Sequence, residues 1–390
     1  MNSQNTTNSA PVKHIAHLVW HFSTGGLENG LVNLINNLPA QRYQHSIITL
    51  TGYDQAFANR ITQPNVNFYH LHKRDGQDWK IFSALNKLLK QLKPDVLHSR
   101  NLTSIELQLV GWWRNIPMRV HGEHGWDTFD IGGTNKKYQL LRRLLKPFIH
   151  QFVCLSSESE HYLLDKVALH TSKVQRICNG VDVAKFKQST AACLALPVNI
   201  TTSPSPVLFG TVGRLATIKN QAFLLQAFAS LLQHQPSFKA KAGLIIVGDG
   251  PNKQQLLQLS QTLNIQDNLV FLGNRSDIAE IMQRFDVFVL PSLAEGISNT
   301  ILEAMASATP VIATAVGGNA DLMPPELQAT NLVEVNNIQQ LVQAMLVYLN
   351  SNQRINTDGL ICQRYCQQHF SLTTMVQRYQ ALYEVSGKEG

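Results

Sequence analysis

At 390 residues, with 44% hydrophobic and 15% charged side chains, the chain has apolar material for two cores, because single cores stop growing near ~250–300 residues. Its net charge of +7 and 14 histidines fit phosphorylated substrates or an anionic membrane face. Zinc-finger spacing, an aromatic RNA-binding signature and an arginine-rich tail are all missing, which counts against nucleic acid. Five scattered cysteines argue against a disulfide framework and for a reducing compartment.

The polar start MNSQNTTNSAPVK lacks a signal-peptide pattern, and no stretch approaches the ~18 apolar residues of a spanning helix. The expected location is cytoplasmic, with the inner face of the membrane as an extension of it. From there the chain alternates. His14–Trp20 reads as a strand, followed by the loop HFSTGGLEN and a helix through Leu31, Leu34 and Ile35. Strands follow at His45–Leu50 and Val66–Leu71, then a helix over about Ile81–Leu92. Further strands are predicted at VLHS after Pro94-Asp95, at Met118–His124, Gln151–Ser156 and Lys173–Gly180. The stretch from Ala192 to Pro206, with three prolines, reads as a linker. Strands restart at Val207–Gly213, Gly243–Gly250, Asn268–Asn274 and Phe285–Ser292, with helices near Phe223–Leu232, Lys253–Leu263 and Ile278–Gln283. Such alternation predicts α/β architecture, two parallel sheets with helices on both faces.

The densest chemistry lies in PSLAEGISNTILEAMASATPVIATAVGGNADLM, from Pro291 to Met323. It sets Glu295 and Glu303 eight positions apart on a strand–turn–helix–strand frame that ends in Gly317-Gly318. Ionised carboxylates accept hydrogen bonds and donate none, so the pair suits the hydroxyls of a sugar nucleotide. Arg214 and Lys219 follow the strand VLFGTVG, at the carboxyl end where open α/β sheets bind ligands, and together suit a pyrophosphate. An exposed basic loop is the plainer reading. Ser23-Thr24-Gly25-Gly26 either brings backbone and a helix N-terminus to an anion or simply turns the chain. GDGP at Gly248–Pro251 reads as structural for Asp249 and Pro251, while Asn274-Arg275 at a strand end could present backbone groups to a base edge. His124, between Gly122 and Gly125, is a candidate for substrate contact; His98 is a weaker one, and His121 reads as packed. No D-x-D and no metal-ligand spacing occur, so no metal is expected, and Cys362 and Cys366, one helical turn apart, read as packing residues. Over 135–150, Leu140, Leu141, Leu144, Leu145 and Phe148 gather on one helical face, opposite Arg142, Arg143 and Lys146. That pattern fits either a core-packed helix with a charged back or contact with an anionic membrane.

Together EG-x-x-N-x-x-LEAMA with Glu295-x7-Glu303, GRL…K at Arg214–Lys219, VGDGP and AVGGN resemble glycosyltransferase family 4, the retaining, nucleotide-sugar-dependent group of GT-B fold. STGGLEN, KRDGQD at Lys73–Asp78, GEHGWD and CNGVD are similar to sugar transferases of bacterial exopolysaccharide systems. The resemblance implies two Rossmann-like domains facing across a cleft: 13–190 for the acceptor, 205–367 for the nucleotide sugar, and a last helix, 368–386, crossing back to the first. It implies that Arg214 and Lys219 hold the donor diphosphate, Glu303 the ribose, and Glu295 the donor sugar with Gly296, Ile297, Ser298 and Asn299. His124 would sit near the anomeric carbon, with Gly25, Gly26, Asn274 and Arg275 lining the donor site. Beyond the nucleotide sugar as donor, no cofactor or metal is implied. The implied reaction passes a sugar to a glycan or lipid-linked acceptor in surface-glycan synthesis. A nucleotide-sugar epimerase on the same fold is the alternative, distinguished by product formed without acceptor. The chain departs from the family at Ala308, where glycine is usual, at Asp321, where glutamate is usual, and in PPELQATNLVEV, which lacks a D-G-x-x-G turn.

Overall fold

The computed structural model describes residues 11–125, 130–187, 206–235 and 237–385. The chain forms two compact units, one of Met1–Cys178 with Met375–Gly390 and one of Asn179–Thr374. The sequence boundaries at 190 and 205, and most of the expected linker, lie outside the described residues. The first unit ends at Cys178, so Asn179–Lys187 belong to the second.

The first unit is a seven-stranded sheet in the order β3-β2-β1-β4-β5-β6-β7, every pair parallel. Its strands are β1 Lys13–Val19, β2 Tyr43–Thr49, β3 Val66–His70, β4 Val96–Arg100, β5 Met118–Glu123, β6 Gln151–Cys154 and β7 Val174–Arg176. Side chains alternate across the sheet. Ala16, Leu18, Ile48 and Leu97 point to one apolar layer, completed by Ile81, Leu85 and Leu89 of the helix Lys80–Leu92. That helix shows its buried residues at i, i+4 and i+8, and stops at left-handed Lys93 (φ 45°) before Pro94. On the opposite layer, Val19 and Ile47 pack with Leu31, Val32 and Ile35 of the helix Gly26–Asn37.

The helix Leu372–Glu384 buries Met375, Val376, Tyr379, Leu382 and Tyr383. In the first unit Lys13 Nζ donates to the Tyr383 carbonyl at 2.7 Å and Tyr43 OH donates to Glu384 at 2.8 Å. Residue 386 lies outside the described residues.

The second unit is a six-stranded parallel sheet in the order β10-β9-β8-β11-β12-β13. Its strands are β8 Val207–Val212, β9 Ala242–Val247, β10 Leu269–Gly273, β11 Val287–Leu290, β12 Val311–Thr314 and β13 Leu332–Val333. β8, β9 and β11 are buried end to end, as continuous apolar runs in a helix-covered parallel sheet should be. Phe209, Leu224, Phe228, Leu231 and Tyr348 anchor the layer beside the helix Gln221–His234.

One amphipathic expectation is corrected. The helix Lys136–Leu145 does not turn its leucine stripe inward: Leu145 and Arg142 are buried, whereas Leu140 and Leu144 are exposed. Arg142 is inside because it grips buried Glu123 with two hydrogen bonds, Nε to Oε1 at 2.6 Å and Nη2 to Oε2 at 3.0 Å. Burial opposes ionisation of Glu123, but the Arg142 guanidinium and His121 outweigh it and hold the carboxyl well below its usual range. Hydrophobic periodicity cannot foresee an inward arginine, because the ion pair is made with a strand far away in sequence.

Candidate active site

In the second unit the candidate residues lie at the carboxyl ends of adjacent strands. The chain leaves β8 through Gly213-Arg214-Leu215, and this loop rests backbone to backbone on the turn after β9. Gly213 N donates to the Val247 carbonyl and Leu215 N to the Asp249 carbonyl, both at 3.0 Å. Gly248 has φ +135° and a Cβ there would lie 2.0 Å from the Gly213 carbonyl oxygen. The GDGP glycines are therefore a support that fixes where Arg214 emerges. Asp249 is solvent-facing and pairs with Lys253 at 3.0 Å. The Arg214 side chain is exposed and has no ion-pair partner among the described residues.

Lys219 reaches Glu295, with Nζ 2.7 Å from Oε1. Ser292 Oγ donates to the same oxygen at 2.6 Å. Both bonds fall on Oε1, and Oε2 takes none among the described residues, so the carboxylate is oriented by one oxygen and open at the other. The turn holding it is fixed by β12: Thr314 Oγ1 donates to the Ser292 carbonyl at 2.7 Å, and Gly318 N to the Gly296 carbonyl at 2.9 Å. Gly317 (φ +53°) is required there, since a Cβ would sit 1.8 Å from the Glu295 carbonyl oxygen.

The helix Asn299–Ala306 starts at Ser298, whose Oγ accepts from Ile301 N at 3.4 Å, and carries Glu303. Asn299 accepts from Asn179 Nδ2 at 2.9 Å. The Glu303 carboxylate accepts no hydrogen bond among the described residues. Burial pushes its carboxyl up to about 7, against the pull of the Lys185 charge. A dehydrated, unpartnered carboxyl is prepared to accept bonds from hydroxyls. Ala308, just past this helix, is left-handed at φ +58°, which explains why glycine suits the position. Asn274 and Arg275 follow β10 on the surface, and Arg275 is held by Asp277, Nε to Oδ1 at 2.8 Å.

The first unit carries the other candidates. Gly25 caps the helix Gly26–Asn37 with extended backbone (φ −163°). A Cβ on Gly25 would lie 2.1 Å from Oε2 of Glu28, so an internal carboxylate already leans on the helix start, and a bound phosphate would have to displace it. The loop spacing alone gave no sign of this acid.

His124 follows β5, its amide donating to Asn101 Oδ1 at 2.9 Å. Both its ring nitrogens are buried without a hydrogen-bond partner among the described residues. Burial, the Arg100 charge and His121 hold the imidazole down at about 3, opposed by Glu123, so it is neutral. Bare Gly122 makes room for it: a Cβ there would lie 2.5 Å from His124 Nε2 and 3.2 Å from His98 Nε2. His98 does not end a strand; it sits in the middle of β4, wholly buried, hydrogen-bonded to Tyr383 OH at 2.8 Å. It belongs to a buried row that motif spacing does not disclose. His17 Nε2 meets His45 Nδ1 at 3.0 Å, and Arg100 Nη1 meets His17 Nδ1 at 3.2 Å. Alternate polar residues on β1, β2 and β4 were the available signal. Trp126 and Asp127 of GEHGWD lie outside the described residues.

Comparison with known proteins agrees with the two-sheet architecture. Residues 206–351 match the family model Glycosyl transferases group 1, and residues 24–185 match Glycosyltransferase Family 4. The chain is 29% identical over 314 residues, 79% of each sequence, to the UDP-Gal:alpha-D-GlcNAc-diphosphoundecaprenol alpha-1,3-galactosyltransferase of Escherichia coli. It is 27% identical over 310 residues to the alpha-monoglucosyldiacylglycerol synthase of Streptococcus pneumoniae, covering 74% of this chain and 67% of that one. Among solved structures, that of Anabaena HepE in complex with UDP superposes with a TM-score of 0.78 at 20% identity, over 95% of this chain and 99% of the other, a likeness of fold. With one family model on each unit and the two-sheet architecture shared, the chain belongs to glycosyltransferase family 4 and is a nucleotide-sugar-dependent glycosyltransferase of GT-B fold.

Proposed function

We propose that the chain is a retaining glycosyltransferase that passes a sugar from a nucleoside-diphosphate sugar to a lipid-linked acceptor in surface-glycan synthesis. The observation that carries this reading is the Lys219–Glu295 pair, oriented through one oxygen, beside an exposed Arg214. The names of the Escherichia coli and Streptococcus pneumoniae relatives, which specify a diphosphoundecaprenol-linked sugar and a monoglucosyldiacylglycerol product, support a lipid-linked acceptor.

In this reading the donor diphosphate draws Lys219 and Arg214 to its oxygens. Glu295, with its lysine engaged elsewhere, accepts hydrogen bonds from hydroxyls of the transferred sugar. Glu303 ionises as it takes the ribose hydroxyls. The bond between the anomeric carbon and the phosphate oxygen breaks while the acceptor oxygen bonds to the same face of that carbon. The acceptor proton passes to an oxygen of the departing diphosphate. Arg214, Lys219 and the Gly317 N–H meet the growing negative charge. No cofactor or metal is assigned a role. Neutral His124 can donate one hydrogen bond and accept another, which suits a sugar hydroxyl near the anomeric carbon. Asn274 and Arg275 line the donor site, and 135–150 faces the membrane.

Screening UDP-, GDP- and ADP-sugars by thermal shift identifies the donor, because a ligand bound only to the folded state raises its apparent stability. With that donor, Glu303→Ala and Lys219→Ala should each lower turnover about 100-fold or more while circular dichroism stays native. Unchanged turnover overturns the assignment, and an epimerised sugar formed without acceptor replaces it with the alternative.

A further inference from the structure

We propose that Lys185, carried by the segment that begins Asn179-Gly180-Val181-Asp182, is a positioning residue of the donor site, acting through Glu303 on the binding of the nucleoside. The inference rests on the proposed role of Glu303 at the ribose. It gives a task to CNGVD, a motif that the proposed reaction leaves unused.

The segment reaches the helix of Glu303 directly. Asn179 is buried and donates from Nδ2 to Asn299 Oδ1 at 2.9 Å. Asn299 opens the helix Asn299–Ala306 and Glu303 follows it by four residues, so the two share one helical face a turn apart. The short helix Val183–Phe186 packs against that same helix, with Phe186 buried. The segment is pinned on its other side. Val181 N donates to the Phe370 carbonyl at 2.9 Å, and the Val181 carbonyl accepts from Leu372 N at 3.0 Å. Asp182 caps the short helix, its Oδ1 accepting from Lys185 N at 3.1 Å. The backbone of Lys185 is thereby held beside the face that carries Glu303.

Charge gives this placement its use. Lys185 is exposed and has no acidic partner among the described residues; its Nζ lies 5.7 Å from the centre of the Phe186 ring. Of the other elements packed on the Glu303 helix, Ile278–Met282 carries Glu280 and Asn319–Leu322 carries Asp321. Both are acidic, and neither can favour a further carboxylate. The helix Asn352–His369 faces it with Gln363 and with Cys366, whose thiol burial pushes up to about 12, so that it is uncharged. The strands Val287–Leu290 and Val311–Thr314 carry no charge. Lys185 is therefore the cation that opposes the burial of Glu303. A protonated carboxyl offers a donor where the ribose hydroxyls need an acceptor, and a nearby ammonium widens the pH range in which it stays ionised. Solvent and salt screen an exposed lysine, so the effect is severalfold and not larger.

Calorimetry with UDP-, GDP- or ADP-glucose, whichever raises the melting temperature, tests this between pH 6 and 9. A nucleotide sugar is the suitable probe, because a terminal phosphate itself titrates at about pH 6 and here it is esterified. Lys185→Gln should weaken binding about threefold at pH 7, about fivefold at pH 6 and hardly at all at pH 9. Lys185→Arg should restore the wild-type profile, and added salt should narrow the gap. In a Glu303→Gln background Lys185→Gln should change nothing further. A loss equal at every pH, or one that persists in that background, overturns the proposal, since Lys185 then touches the nucleotide or merely supports the fold. A Lys185→Gln profile that superimposes on the wild type also overturns it, and if wild-type affinity still falls with acid the Glu303 reading stands. No shift with any of the three nucleotide sugars, or a wild-type profile flat from pH 6 to 9, removes the ribose role of Glu303 and the inference with it.

Discussion

Acidification should loosen the first unit while firming the second. His17, His45, His98 and His124 are held neutral in the first unit: burial lowers all four, with the Arg100 charge adding to it. His45 comes down to about 4 and His124 to about 3. Each has an ordinary value near 6.5 when unfolded. Between that value and the lower native one the unfolded chain binds the proton and the native chain does not, so stability falls as pH falls below 6.5. One histidine contributes about 1.4 kcal/mol per pH unit, and four contribute about 5 kcal/mol between pH 7.5 and 5.5. This is an upper figure, because local relaxation lets some imidazoles charge early. Glu303 has the opposite sign. Its carboxyl is raised to about 7, so the native state holds a proton that the unfolded state has lost, and acidification over the same interval stabilises the second unit by about 2 kcal/mol. The two responses are separable, because all five tryptophans lie in the first unit and none in the second. Urea unfolding followed by tryptophan fluorescence should move to lower midpoint at pH 5.5, while the second unit's part of the circular-dichroism transition moves up. His45→Gln should remove about one proton from the fluorescence slope. A fluorescence midpoint that holds or rises at pH 5.5 would refute the assignment of these four rings as buried and neutral.

Nucleotide binding should carry the same Glu303 signature. If ribose hydroxyls need its ionised form, affinity measured by calorimetry weakens about tenfold per unit below pH 7, and Glu303→Gln gives a flat, weak profile. Ala308→Gly should raise the unfolding free energy measured in urea by about 0.5–1 kcal/mol, because left-handed backbone is costly for alanine; no change would mean that the strain is absorbed nearby. Arg142→Met should cost about 3–5 kcal/mol by stranding the Glu123 carboxylate, and adding Glu123→Leu should recover much of it. A double variant as unstable as the single one would show that packing, not the stranded charge, sets the loss.

What the sequence disclosed was set by local rules. Apolar runs gave the parallel strands, and the turns at Gly248 and Gly317 could be placed because glycine there answers a positive φ and a backbone contact. The chemistry of Glu295 and Lys219 was visible, but their contact was not: 76 residues separate them, and a strand order of β8 beside β11 brings them together. The inward Arg142 failed for the same reason, since its partner Glu123 lies 19 residues back on a strand. His98 misled differently. The run VLHS puts it near the end of a strand, whereas the strand continues to Arg100 and the buried row extends to His17 and His45.

That row bears on why His124 is built as it is. Arg100 is buried, with no carboxylate within salt-bridge distance among the described residues. An uncompensated guanidinium in such a place is costly, and neutral imidazole nitrogens of His17 and His98 are the groups that accept from it. A carboxylate in their place would pair with Arg100 and cancel its field. Imidazoles satisfy the donors and leave the charge in force, so at His124 the positive potential adds to burial, the larger cause, in keeping that ring unprotonated through the range in which an enzyme works. A protonated His124 could only donate; a neutral one keeps an acceptor nitrogen for a sugar hydroxyl. The buried histidines thus tie the first unit's acid sensitivity to the protonation state of its candidate substrate contact.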